Sequence, residues 1–318
     1  MQIHILDDTS DTLRSLPSFA KLAGHDVTVW TDTLHDEDAL AARLQAAQGL
    51  VLFRERTQIT DSLLARLPNL RLISGRGAWP HVDVAACRRR GITFCSLKSD
   101  AAPNHSAAEL TWALVMAAMR DLPAQMAALK AGRWQAGVGR GLRGRCIGLY
   151  GGGRIAGLVA GYARAFGMDV IWWGSETTRA RLRALGETVP ESRAAFFGGA
   201  DVISVHVRLV ADTRGCITGD DFAAMRAGAV FVNTARAGLV ERGALLAGLE
   251  RGKPACAALD VFDVEPLTDP HDALLSHPNV IATPHIGFVT QDEFDLQFGD
   301  IYDQITAFVA GDPINVVT

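Results

Sequence analysis

Arg236, Glu265 and His285 are side chains of the three types that a hydride transfer at a carbonyl carbon would call on. Reducing a 2-oxo acid needs a cation to hold the carboxylate and polarise the carbonyl, an acid to protonate the new alkoxide, and a group that sets the charge of that acid. Arg236, in Val232-Asn-Thr-Ala-Arg236-Ala-Gly-Leu-Val, offers a planar guanidinium that can fork onto a carboxylate while leaning on the carbonyl oxygen. Glu265, in Asp260-Val-Phe-Asp-Val-Glu265-Pro266, and His285, in Thr283-Pro-His285-Ile-Gly287, offer a carboxylate and an imidazole. A carboxylate against imidazole favours the imidazolium, the proton donor that such a reduction requires. Singly, each has a plainer explanation: a solvated loop cation, a turn carboxylate before proline, and a turn histidine after Pro284. Their shared feature is position, because each follows a predicted strand, and open parallel sheets bind ligands at the carboxyl ends of their strands.

A second motif points to a dinucleotide. Gly148-Leu-Tyr-Gly151-Gly-Gly153-Arg154-Ile155-Ala156-Gly157 falls where a strand should meet a helix and contains GxGxxA from Gly151 to Ala156. Gly151 allows the tight turn, Gly153 lets the backbone approach a pyrophosphate, and Ala156 lets helix and strand pack closely. Glycine-rich strand-to-helix turns also occur without ligands, so the motif gains its weight from the βαβ pattern that follows it.

The elements that must position these groups are legible as apolar runs. Ile3 to Leu6, Val27 to Trp30, Leu50 to Phe53, Leu70 to Ile73 and Ile92 to Phe94 read as strands, with helix candidates such as Asp11 to Ala23 and Glu37 to Ala47 between them. The pattern breaks at Ser99 to Pro103, the expected domain boundary, and a long apolar helix follows from about Asn104 to Met119. Ser106 and Glu109 have the spacing of a capping box, which by itself accounts for both. A second alternation carries strands at Cys146 to Tyr150, Val170 to Trp173, Val202 to Val205, Val230 to Asn233, Ala257 to Asp260 and Val280 to Ala282. The last helix, about Thr290 to Ala310, carries Phe294, Phe298, Ile301, Ile305 and Phe308 on one face and is expected to return to the first domain. The predicted fold class is α/β with two doubly wound parallel-sheet domains, residues 1–102 plus 287–318 and residues 103–286.

Composition narrows the partners. Of the 318 residues 48% are apolar, enough for two cores, and 31 basic against 35 acidic side chains leave no run suited to a phosphate backbone or an anionic leaflet. Nucleic acid and membrane are therefore not expected as partners. The N-terminus lacks the features of a secretory signal, and no stretch approaches the length of a membrane span. Five scattered cysteines without a CxxC pair fit reduced thiols in a cytoplasm, and no metal is expected.

With these motifs in order along essentially the whole chain, the sequence resembles the D-isomer specific 2-hydroxyacid dehydrogenases, a family that includes glycerate, glyoxylate and phosphoglycerate dehydrogenases. The resemblance implies a flavodoxin-like substrate domain, an inserted Rossmann domain that makes a homodimer, and for Arg236, Glu265 and His285 the roles argued above. It places Gly151, Gly153, Arg154, Ile155, Ser175 and Arg179 at the cofactor, with His206, Thr234, Ala235, Asp260 and Gly287. The family's carboxylate-binding loop resembles Ser74-Gly75-Arg76-Gly77-Ala78-Trp79-Pro80-His81-Val82-Asp83, where the N–H groups of Gly77 and Ala78 would meet the substrate. A glycine turn entering the next helix is the structural alternative. Arg76 and Trp79 are unusual there and would select an anionic or bulky tail. His206 matches a position near the nicotinamide, although Arg208 stands where the family commonly has proline, and a structural role suits this histidine as well.

The expected activity is the interconversion of a D-2-hydroxy acid and a 2-oxo acid with NAD or NADP. Two other readings share the architecture: a corepressor that binds NAD as a conformational ligand, and a formate or phosphite dehydrogenase relative. Between the nucleotides the sequence leans to NADP. The strand Val170 to Trp173 runs into Gly174-Ser175-Glu176, so the position that usually carries an acid for the ribose hydroxyls holds glycine. Ser175, Thr177, Arg179 and Arg181 are available to a phosphate, whereas a one-residue shift in the turn would make Glu176 the ribose acceptor.

Overall fold

The two runs of alternating elements build two separate parallel sheets in the computed structural model, which describes residues 1–97 and 105–318. The chain divides into one unit of Met1–Ala102 with Thr290–Thr318 and a second of Pro103–Val289. The boundary expected at Ser99 to Pro103 lies outside the described residues.

In the first unit β1 (Gln2–Ile5), β2 (Asp26–Val29), β3 (Gly49–Val51), β4 (Leu72–Arg76) and β5 (Thr93–Leu97) lie in the order β2-β1-β3-β4-β5, every pair parallel. This is the flavodoxin-like order. Leu50, Val51, Leu72 and Ile73 are buried on consecutive positions, because a sheet covered on both faces needs unbroken apolar runs rather than alternation. The outer edge of β5 is closed by the end of the chain: Ser96 N–H donates to the Asn315 carbonyl and Val317 N–H to the Phe94 carbonyl, antiparallel.

The helix expected over Asp11 to Ala23 does not form as one α-helix. Two 3-10 helices, Leu13–Ser15 and Pro17–Leu22, replace it, and Leu16 between them is extended at φ −77° and ψ 141°. Pro17 is the cause, since proline supplies no N–H and disfavours helical backbone in the residue before it. The helix expected over Glu37 to Ala47 is shorter, Glu37–Arg43, with Asp36 accepting the Ala39 N–H at its start. The last helix, Gln291–Val309, is capped by Thr290 and buries Phe294, Phe298, Ile301, Tyr302 and Ile305 within this unit. It is tied to β4 by Gln304, whose Nε2 donates to Ser74 Oγ and the Gly75 carbonyl, and by Ser74 Oγ donating to the Ile301 carbonyl.

In the second unit β6 (Cys146–Tyr150), β7 (Asp169–Trp173), β8 (Val202–Val205), β9 (Val230–Asn233), β10 (Cys256–Leu259) and β11 (Val280–Ala282) form a parallel sheet ordered β11-β10-β9-β8-β6-β7. The order reverses at β6, the switch point where a doubly wound sheet opens a crevice for ligand. Each face has its own core. Ile147, Leu149 and Val232 pack with Trp112, Val115 and Val159 on one side, and Ile203, Val205 and Phe231 with Phe196, Phe197 and Phe222 on the other. The long helix is His105–Arg120, so Ser106 lies inside its first turn rather than ahead of it, and the capping-box reading fails on position. The unit extends to Val289 instead of 286 because the N–H groups of Ile286 and Gly287 are bound to Asp260 within it. Among the described residues no helix is long and apolar enough to cross a membrane.

Candidate active site

The glycine turn follows β6 at the switch point. Gly151 has φ +123°, and a Cβ there would stand 2.3 Å from the His206 carbonyl oxygen, so only glycine fits. The turn is pinned by Gly151 N–H to the Trp173 carbonyl at 2.8 Å and by His206 N–H to the Tyr150 carbonyl at 2.7 Å. Gly153 stands before the helix Arg154–Ala165, which has no side-chain cap, and a Cβ at Gly153 would meet nothing within 4 Å. The protein itself thus does not require glycine at 153. Uncapped N–H groups beside that open space suit a pyrophosphate. Ala156 is fully buried against the sheet.

At the end of β7, Gly174 leads to Ser175, whose Oγ accepts the Thr178 N–H and so caps the helix Glu176–Ala184. Glu176 is paired with Arg179 and lies 3.5 Å from Arg183, while the Arg179 guanidinium sits 4.3 Å from the centre of the Trp173 ring. Arg181 donates to the Gly152 carbonyl, bracing the glycine turn.

Three strand ends assemble the reacting groups. Beyond β9, Thr234 donates to Thr111 Oγ1 at 2.7 Å, since the Thr111 hydroxyl proton goes to the Ala107 carbonyl. Arg236 follows, with Nη1 donating to the Ala235 carbonyl. Beyond β10, Glu265 Oε1 accepts the Phe262 N–H at 2.9 Å, and its Oε2 accepts from His285 Nδ1 at 2.6 Å. Burial pushes the Glu265 carboxyl up, but the hydrogen bonds from His285 and Phe262 and the charges of His285 and Arg236 outweigh it and hold the group below its ordinary value. Both partners remain partly exposed, 26% for the imidazole and 34% for the carboxylate.

Several expected site residues are placed differently. Asp260, expected at the cofactor, is fully buried and spends its oxygens on Thr283, Ile286 and Gly287. His206 Nε2 lies 2.9 Å from Ser204 Oγ, and burial pulls its pKa to about 4, so the ring is neutral. In the first unit Gly77 has φ +93°, but its N–H donates to the Leu97 carbonyl at 3.0 Å and is already engaged, leaving that of Ala78. Arg76 donates to Asp300 at 2.8 Å, and the half-buried Trp79 packs edge-on against Phe94 and the core. Sequence reasoning missed Asn233 and Phe288, whose ring meets His285 edge-on at 5.7 Å. Both lie within three residues of a reacting group, and that proximity was the available signal.

A switch-point glycine turn with an uncapped helix behind it, and a carboxylate–imidazole pair on the same sheet edge, define the second unit as a dinucleotide-binding Rossmann domain. Comparison with known proteins is specific. Residues 112–287 match the family model for the D-isomer specific 2-hydroxyacid dehydrogenase NAD binding domain. A D-3-phosphoglycerate dehydrogenase of Bacillus subtilis (strain 168) is 32% identical over 308 residues, covering 93% of this chain and 54% of that protein. The chain spans about half the length of the curated relatives it matches. Among solved structures, an oxidoreductase from Ralstonia solanacearum superposes with a TM-score of 0.91 at 42% identity, over 99% of this chain and 96% of that one. A phosphoglycerate oxidoreductase from Vibrio cholerae O395 gives 0.88 at 42%, over 98% and 99%. The chain belongs to the D-isomer specific 2-hydroxyacid dehydrogenase family.

Proposed function

We propose that the protein interconverts a D-2-hydroxy acid and its 2-oxo acid by hydride transfer with a nicotinamide dinucleotide. The observation that carries this reading is the Glu265–His285 pair at 2.6 Å, beyond β10 and β11 of the same sheet whose β9 Arg236 follows. Gly151, Gly153 and the uncapped start of Arg154–Ala165 would hold the pyrophosphate. The nicotinamide, when bound, supplies or takes up the hydride. The remaining work falls to side chains of this chain. Arg236 anchors the substrate carboxylate and draws electron density toward the carbonyl oxygen. As that oxygen gains negative charge, His285 gives it the proton, and Glu265 stabilises the imidazolium beforehand. In the oxidative direction the neutral imidazole takes the hydroxyl proton.

NADP is the proposed partner of the two nucleotides, because the acid nearest the end of β7, Glu176, is neutralised by Arg179 and Arg183, leaving nothing to repel a 2′-phosphate. For the substrate, D-3-phosphoglycerate is the first compound to try, because relatives carry its name. Arg56, after β3, supports an anionic tail: its guanidinium stacks 4.4 Å over Phe53 and donates to the Asp7 carbonyl at the carboxyl edge of the first sheet. A homodimer is supported by apolar side chains on and after the helix Leu122–Lys130, among them Met126, Leu129, Trp134 and Val138, of which the last is wholly exposed. Five unpaired thiols support a reducing cytoplasm.

Following nicotinamide absorbance across a panel of 2-oxo and 2-hydroxy acids tests the activity. Turnover of at least one is expected. Binding of nucleotide with no turnover of any would favour the corepressor-like reading, and turnover of formate or phosphite alone would reassign the reaction.

A further inference from the structure

Building on the reading of Arg236 and His285 as reacting groups, we infer that Asn233 and Asp260 are the positioning residues that fix where those two groups stand. Asn233 ends β9 and Asp260 directly follows β10, and both side chains are buried, at 1% and 0% exposure. Each turns back on a loop instead of facing outward. Asn233 Oδ1 accepts the Ala235 N–H at 3.0 Å, and its Nδ2 donates to the Arg236 carbonyl at 3.0 Å, so one amide grips the backbone on either side of the Arg236 Cα. Asp260 Oδ1 accepts from Thr283 Oγ1 at 2.6 Å and from the Ile286 N–H at 2.8 Å, and Oδ2 accepts from the Gly287 N–H at 2.9 Å. It holds the chain on both sides of His285. The two clamps are joined, because Asp260 N–H donates to the Asn233 carbonyl at 3.0 Å.

The backbone at His285 shows why a clamp is required. Its φ is +53°, the left-handed region, which is strained for a side-chain-bearing residue and persists only where the surroundings over-determine it. A turn that relaxed to ordinary backbone would swing the imidazole away from Glu265. Asp260, for its part, is a buried carboxylate with no basic partner among the described residues, so only the donors around His285 compensate its desolvation. Carboxylate and turn therefore depend on each other. Gly287 belongs to the device, since a Cβ there would stand 3.2 Å from Asp260 Oδ2 and press on the bond. Positions 260 and 287 thereby act together on the backbone that carries the proton donor.

The test uses Asp260→Asn, Thr283→Val and Asn233→Ser in the full chain, with nucleotide affinity measured by fluorescence separately from turnover. An amide cannot accept all three bonds, so Asp260→Asn should lower kcat by about 100-fold while leaving nucleotide Kd within about twofold. Thr283→Val removes one bond and should follow the same pattern at about tenfold, which keeps the test alive if Asp260→Asn does not fold. Asn233→Ser should instead act on KM for the oxo acid, the parameter Arg236 anchors. A nucleotide Kd raised about tenfold or more with kcat unchanged would show that Asp260 works through the cofactor and would overturn the inference. Amide hydrogen exchange at Ile286 and Gly287 separates this question from the activity. Unchanged exchange in Asp260→Asn and Thr283→Val would overturn the clamp, and accelerated exchange would uphold it even in a protein that turned over no substrate on the panel.

Discussion

His285 Nδ1 donates to Glu265 Oε2 at 2.6 Å across twenty residues of sequence, and the two side chains arrive from loops beyond neighbouring strands. The pairing leaves Nε2 as the ring nitrogen that can serve a reacting oxygen. It also gives Nδ1 a carboxylate acceptor, whose removal can be measured.

Glu265→Gln keeps the shape of the side chain and removes its charge. The imidazolium then loses its charged partner, and kcat for reduction should fall by about tenfold or more with nucleotide binding intact. Steady-state kinetics beside a nucleotide titration check this. A kcat equal to the parent's would remove Glu265 from acid–base chemistry.

His285→Ala should lower kcat by about 100-fold or more with nucleotide binding intact, because the proton donor is lost and the glycine turn is not touched. Arg236→Ala should raise KM and lower kcat together, since the guanidinium serves both substrate anchoring and the charge that develops on oxygen. Steady-state kinetics beside a fluorescence titration of nucleotide separate the two patterns. Near-normal turnover by either variant would sink the mechanism.

The glycines of the turn should divide by cause. Gly151→Ala places a Cβ 2.3 Å from the His206 carbonyl oxygen at a positive φ, so melting temperature and nucleotide binding should both drop. Gly153→Ala meets nothing within 4 Å, so stability should be unchanged while nucleotide Kd rises. Calorimetry with a binding titration checks both, and a Gly153→Ala protein that bound nucleotide normally would mean that the pyrophosphate does not approach there.

Arg179→Ala should lower kcat/KM for NADPH by about tenfold and leave NADH nearly unaffected, as expected for the loss of one charge-assisted bond to phosphate. The freed Glu176 would add to the effect, because its carboxylate is now paired with Arg179. A parent protein that favoured NADH by tenfold or more would instead mark Glu176 as the ribose acceptor.

His206 supplies a pH test of stability. Its folded pKa, about 4, lies below the ordinary value of 6.5, so on acidification the unfolded chain takes up this proton before the folded one. Stability from this group is complete above 6.5 and is lost as pH falls toward 4. In His206→Gln the decline of Tm across that window should be shallower, though not absent, because burial also lowers His4 and His81.

How much of this was legible in the sequence follows from how far each signal reaches. Cys146–Tyr150, Val202–Val205 and Val230–Asn233 lie where their apolar runs place them, because a strand covered on both faces writes its burial into consecutive residues. Gly151 was legible for the same local reason, as the turn forces its φ. The types and order of Arg236, Glu265 and His285 were also visible, and the strand-end rule brought them to one sheet edge. Folding alone decided which polar group meets which. Arg76 is paired with Asp300, 224 residues away, and the Gly77 N–H with Leu97 on the next strand, partners that no local pattern announced. Asp260, which the resemblance placed at the cofactor, is buried, and three donors around His285 converge on it from beyond β11. Periodicity records burial residue by residue along the chain, whereas a hydrogen bond depends on angstrom-scale placement of groups far apart in sequence, which only the packed sheet supplies.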